Sequence, residues 1–112
     1  MTIKCIAIDV DGTLLNSQGR LTPRTVAAVD AAVRHGVQVV LATGRVRARK
    51  SLAILDALHL DTPGVFLQGL LVYDGQGRVL RRAGLAPAAI AEGLAVTSEH
   101  GFHTVAYCAD AA

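Results

Sequence analysis

From Ile3 to Ile8 every residue but Lys4 is apolar, and the run ends on Asp9-Val10-Asp11-Gly12. An apolar stretch with β-branching and no proline predicts a buried strand. Asn16 to Arg20 is polar and turn-rich, hence a loop. Thr22-Pro23 predicts a helix start, with Thr22 as N-cap and Pro23 at the first helical position. Val26, Val29 and Val33 recur at i, i+3 and i+7, which is one helical face. His35 in the last turn, as a dipole partner, and Gly36 just beyond it close that helix. Val37 to Ala42 is nearly continuous in apolar residues, as suits a parallel strand covered on both faces. Strand, helix and strand with short links make a βαβ unit with a right-handed crossover.

The second half alternates more quickly. A helix is expected through Leu52, Leu55 and Leu58, with His59 as its exposed end. Asp61 to Gly64 is a turn and Val65 to Leu67 a short strand. Leu70 to Tyr73 and Arg78 to Arg82 flank Asp74-Gly75-Gln76-Gly77, a hairpin signal. Pro87 opens a helix through Ile90, Leu94 and Thr97, ending at His100-Gly101. Phe102 to Tyr107 then predicts a last strand, and Asp110 to Ala112 a loose tail. There is no internal repeat and no low-complexity linker.

The candidate chemistry gathers at two strand ends. Acids at the carboxyl end of a buried strand stand where open α/β sheets place their ligands. Asp9 ends the first strand and Asp11 lies in the turn, so two carboxylates converge on a small volume. Their repulsion calls for a cation, and Mg²⁺ takes carboxylate and carbonyl oxygens. Gly12 lets the backbone turn sharply and approach a ligand. Thr43-Gly44-Arg45 closes the second strand with a hydroxyl, a permissive glycine and a cation, a set suited to a phosphate. Arg47, Arg49 and Lys50 continue the basic cluster and read as a solvated face.

Composition narrows the classes. The 112 residues suit one domain. Apolar residues make up 52%, more than usual, and charged ones only 18%. That fits doubly covered strands or a piece of a larger molecule. A net charge of +2, with 4% aromatics and no Trp, gives no case for nucleic acid. No run is long enough to span a membrane, and the N-terminus leads into the first strand without a signal pattern. Cys5 reads as a small core residue, and neither it nor Cys108 has metal-ligand spacing. A reducing, cytoplasmic setting is the default expectation. His100 and His103 have no third ligand neighbour in sequence.

Asp9-Val10-Asp11-Gly12-Thr13-Leu14 resembles the first motif of the haloacid dehalogenase superfamily. Leu41-Ala42-Thr43-Gly44-Arg45, about thirty residues later with a helix between, resembles its second motif. The Ala-Thr-Gly-Arg form is typical of the subgroup with a large α/β cap (Cof-type, subclass IIB). The resemblance implies an α/β fold: the N-terminal half of a Rossmann-like, three-layer core over residues 1–84, then the start of a cap over 85–112. It implies a Mg²⁺-dependent phosphatase acting on a small phosphorylated metabolite. Asp9 would be the nucleophile and Asp11 the general acid and base. Asp9 and Asp11 would hold the metal, and Thr43, Gly44, Arg45 and Gly12 the phosphate. Gln68-Gly69 stands where the subgroup usually shows Asn-Gly.

The family's Lys and its later acidic motif are not matched. Lys4 and Lys50 are the only lysines, in the first strand and the second helix. The chain therefore reads as an N-terminal fragment, inactive alone, whose uncovered sheet edge favours self-association. Two other readings compete. A receiver-like phospho-accepting module fits the length but needs an Asp after a later strand, where Leu67-Gln68 stands. A non-catalytic remnant would act by association through exposed strand edges.

Overall fold

The computed structural model describes residues 2–107. The chain divides into two compact units, Met1–Arg82 and Ala83–Ala112. The first holds β1 (Cys5–Ile8), α1 (Pro23–Arg34), β2 (Gln38–Leu41), α2 (Arg49–Ala57), β3 (Gly64–Phe66), β4 (Leu71–Tyr73) and β5 (Val79–Arg82). β1 and β2 pair in parallel, Cys5 opposite Gln38 through Ile8 opposite Leu41. A parallel bridge between Ala42 and Val65 joins β2 to β3. β3–β4 and β4–β5 are antiparallel, with an irregularity at Val72/Tyr73. The expected βαβ unit is present, and the α/β, Rossmann-like core is the observed fold.

Local chemistry sets the helix limits. Thr22 caps α1 by accepting the Thr25 N–H at 3.2 Å, and Pro23 fills the first helical position. At its other end the Val37 N–H reaches Ala32 O and the Gly36 N–H reaches Val33 O. This closing motif puts Gly36 at φ +77°, which glycine adopts without strain. α2 closes in the same way, Leu60 to Leu55 and His59 to Asp56, but with His59 in the left-handed position. His59 is exposed, as expected of the helix end, and takes the left-handed position just beyond the Leu58 cap.

The core joins Val10, Leu14 and Leu15 after β1, Val29 of α1, Val39 and Leu41 of β2, and Ile54, Leu58 and Leu60 of α2 and its end. Two helix faces differ from expectation. In α2 the buried stripe is Ser51, Ile54 and Leu58, with Leu52 and Leu55 at its margins. Ser51 is tolerated inside because its hydroxyl donates to Val46 O at 2.8 Å. In α1 Val33 is exposed, and Ala32 packs on the core instead.

β1 is not the fully covered strand its composition predicts. Cys5 and Ala7 are exposed, and Ile6 and Ile8 are half-buried. Cys5 is therefore a free surface thiol and not a core residue. Among the described residues β1 pairs only with β2, so one edge and the face bearing Cys5 lack cover. Lys4 lies just before the strand and is exposed.

The hairpin turn leans on the loop after α2. A Cβ on Gly75 would lie 1.6 Å from the Asp61 carbonyl oxygen, a backbone atom with little room to move. Gly75→Ala is therefore expected to cost about 1–3 kcal/mol in urea unfolding. Gly84→Ala, which meets open space, is the control. Equal midpoints for the two variants would show that the turn does not depend on this contact.

The second unit holds α3 (Pro87–Glu99), which begins at the expected proline and ends at His100 and Gly101. Its apolar Ile90, Leu94 and Val96 are exposed. The strand expected from Phe102 to Tyr107 does not form. A strand is stable only with a laddered neighbour, and none pairs with this segment among the described residues. The expected tail, 110–112, and Cys108 lie outside the described residues.

Candidate active site

Both candidate motifs follow directly on the paired strands β1 and β2, so parallel pairing alone brings Asp9 and Thr43 to the same sheet end. Beyond Asp9 the chain makes a single wide turn. Leu14 N–H bonds to Asp9 O at 3.2 Å and Leu15 N–H to Val10 O at 2.9 Å, an i→i+5 pattern. Val10 and Leu14 are buried and anchor this turn in the core. Asp11 and Gly12 between them are exposed, Gly12 at φ +76°. The apolar anchors thus present the acidic positions outward.

A pocket of about 320 Å³ opens at this end, lined by Asp9, Ala42, Thr43, Gly44, Val65, Gln68 and Gly69. It gathers three of the residues singled out in the sequence, Asp9, Thr43 and Gly44. Asp11, Gly12 and Arg45 are not part of its lining. Thr43 is 5% exposed, and its hydroxyl accepts the Arg45 N–H at 3.2 Å. The hydroxyl therefore shapes the turn while its own proton remains available for a ligand.

Arg45 turns to Asp11. Its Nε donates to one carboxylate oxygen at 2.7 Å and its Nη2 to the other at 2.5 Å, a bidentate pair. These hydrogen bonds hold the Asp11 carboxyl below its ordinary pKa against a desolvation penalty, and the guanidinium charge adds to the effect. The same bonds raise Arg45. Of the basic residues that follow, Arg49 and Lys50 are exposed as expected. Arg47 departs from the expected solvated face. It lies 5.3 Å from the Tyr73 ring centroid and close against Gly77. Packing over an aromatic face satisfies a guanidinium at low solvation cost.

Gln68 is the pocket residue that sequence reasoning undervalued. Leu67, Gln68 and Gly69 all have positive φ, +49°, +56° and +92°. Such a run is costly for residues with a Cβ and is held here by neighbours. The Leu67 N–H bonds to Arg45 O, and Gln68 N–H to Thr43 O. The Gln68 carboxamide lies over Gly44, where an added Cβ would sit 2.4 Å from Nε2. Asn tolerates this backbone better than Gln, so the residue type alone does not announce the conformation. The usable signal was Gly69 directly after a short apolar strand.

Mg²⁺ keeps several waters and needs only one or two carboxylates from a protein. Asp9, exposed at the end of β1 and lining the pocket, is a donor of that kind. The Asp11 carboxylate is taken up by Arg45, and no group of three metal-binding side chains occurs among the described residues.

Residues 6–112 match the family of haloacid dehalogenase-like hydrolases. The chain belongs to this family. A chloroplastic protein of Arabidopsis thaliana named Endoribonuclease YBEY is 36% identical over 94% of this chain and 19% of its own length. The pyridoxal phosphate phosphatase YbhA of Escherichia coli is 34% identical over 99% of this chain and 41% of its own. This haloacid dehalogenase-like chain therefore spans less than half the length of these curated relatives. A solved subclass IIB sugar phosphatase superposes with a TM-score of 0.77 at 24% identity, over 88% of this chain and 38% of that one. The likeness is one of fold, over the core that the two chains share. No helix among the described residues is long and apolar enough to cross a membrane.

Proposed function

We propose that the chain carries the nucleophile-bearing part of a phosphoric monoester hydrolase for small phosphorylated metabolites. The observation that carries this reading is the pocket uniting Asp9, Thr43 and Gly44. In the first step an Asp9 oxygen attacks phosphorus as the ester oxygen leaves, and Asp11 gives that oxygen a proton. The product on the protein is an aspartyl-phosphate. In the second step Asp11 takes a proton from water as the water oxygen attacks phosphorus, and orthophosphate leaves Asp9. Thr43 and the turn N–H groups donate to the phosphoryl oxygens where charge develops. Mg²⁺ held by Asp9 and the Asp11 carbonyl would supply positive charge against those oxygens. Residues from 85 onward are read as the start of a cap that selects the substrate. Sugar phosphates and nucleotide or flavin phosphates both remain within the class.

The receiver-like alternative gains no support, because β3 runs into Leu67-Gln68 with no carboxylate at its end. Nor do the lysines of these residues serve the site: Lys4 and Lys50 are both exposed and outside the pocket lining. The 112 residues alone are therefore expected to bind phosphate without turning over an aryl phosphate, with or without Mg²⁺.

Titrating orthophosphate into the chain tests the reading. Thr43→Val is expected to lose about 1.5–3 kcal/mol of phosphate affinity, the worth of a hydrogen bond to a charged group. Thr43→Ser, which keeps the hydroxyl, should bind as the parent does. Equal affinity in all three proteins would reduce Thr43 to its turn-shaping bond with the Arg45 N–H.

A further inference from the structure

Arg45 was expected to hold phosphate, yet its guanidinium spends both of its described hydrogen bonds on a carboxylate and lies outside the pocket lining. The two partners are not equally fixed. Arg45 is tied through its own backbone, its N–H to Thr43 Oγ1 at 3.2 Å and its carbonyl to the Leu67 N–H at 3.0 Å. Its side chain is 27% exposed, that of Asp11 61%. Asp11 sits in the outward, exposed part of the wide turn, followed by Gly12 in a left-handed conformation. Of this pair, the arginine is the anchored member and the aspartate the one being held.

We propose that Arg45 is a positioning residue: anchored to the Thr43 and Leu67 backbones, it holds and orients the Asp11 carboxylate and does not bind the phosphoryl group. The inference rests on the acid and base role assigned to Asp11 under the proposed function. A two-point bond fixes the carboxylate plane as well as its position, which a single contact from Lys would not do. Orientation of this kind is what a proton-transferring group needs, because misplacement by about 1 Å costs roughly 10²-fold in rate.

The clamp also fixes the charge state. A carboxylate that accepts two N–H bonds from a guanidinium has no proton to give. The held form of Asp11 is the base, ready for water, and the acid form requires that the pair part. Arg45 thus links the order of the two proton transfers to the position of one side chain.

Two measurements on the 112-residue chain decide the matter. In the first, the Arg45 Nε–H signal is followed by NMR at one neutral pH. It is expected to be shifted and slow to exchange in the parent, where Nε donates to Asp11, and to return to the position of a free Arg side chain in Asp11→Ala. An unchanged signal in Asp11→Ala would overturn the clamp. In the second, orthophosphate affinity is measured for Arg45→Gln with Asp11 intact and in an Asp11→Asn background. If Arg45 acts only through Asp11, its loss in the Asn background changes affinity by no more than about twofold. A loss of about tenfold or more in both backgrounds would make Arg45 a phosphate ligand and sink the proposal. A parent chain that binds no phosphate would remove the proposed function, and the NMR comparison would still decide whether Arg45 clamps Asp11.

Discussion

Replacing Asp9 with Asn in a longer chain that carries the rest of the catalytic set is expected to abolish both turnover and labelling of the protein by a phosphate ester. Among the described residues Asp9 is the only carboxylate lining the pocket, and it stands at the end of β1 beside the Thr43 turn of β2. Asn keeps the shape and the hydrogen-bonding reach but lacks the anionic oxygen that forms the acyl phosphate. Removing a covalent nucleophile typically costs on the order of 10⁶-fold in kcat. Asp11→Asn should behave differently. It keeps the nucleophile and slows the departure of the ester oxygen, so labelling persists at a reduced rate, most visibly with poor leaving groups. The check is acid-stable transfer of label from a phosphate ester to each protein. Full labelling of Asp9→Asn would move the nucleophile elsewhere.

The largest loss of stability is expected from Phe66→Ala. Phe66 is 1% exposed on β3, the strand joined to both β2 and β4. Its ring meets Tyr73 edge to face at 5.7 Å and lies so close over Gly64 that a Cβ there would come within 2.7 Å. A buried Phe cut to Ala typically costs 3–5 kcal/mol, and the aromatic pair contributes about 0.5–1.5 kcal/mol of such a loss. Against a usual total of ~5–15 kcal/mol this is a severe change. It should also loosen the pocket, since the Leu67 and Gln68 bonds to the Arg45 and Thr43 carbonyls hang from the end of β3. Urea unfolding measures it, with exposed Leu80→Ala as a control expected within about 0.5 kcal/mol of the parent. A loss below about 1 kcal/mol for Phe66→Ala would mean that β3 is held by its ladder alone.

Much of this protein is written in local sequence. Thr22-Pro23 and Gly36 bound α1 because capping and left-handed closure depend on residues a few positions apart. The apolar runs place β1 and β2, and their parallel pairing follows from the helix between them. The two motifs then name Asp9, Thr43 and Gly44 before any coordinates exist, because each sits at the end of its strand.

What tertiary structure alone decided concerns partners distant in sequence. The stripe of α2 moved to Ser51, Ile54 and Leu58 because the hydroxyl of Ser51 finds Val46 O, which periodicity does not report. Cys5 proved exposed and Phe102–Tyr107 unpaired, since a strand's cover and ladder belong to its neighbours and not to itself. Arg47 went to the Tyr73 ring, and Gln68 took a left-handed turn over Gly44. Above all, the sequence grouped Arg45 with the phosphate-binding residues because it follows Thr43-Gly44. Folding set it opposite Asp11, thirty-four positions away, and a guanidinium facing a carboxylate at bidentate distance takes that partner.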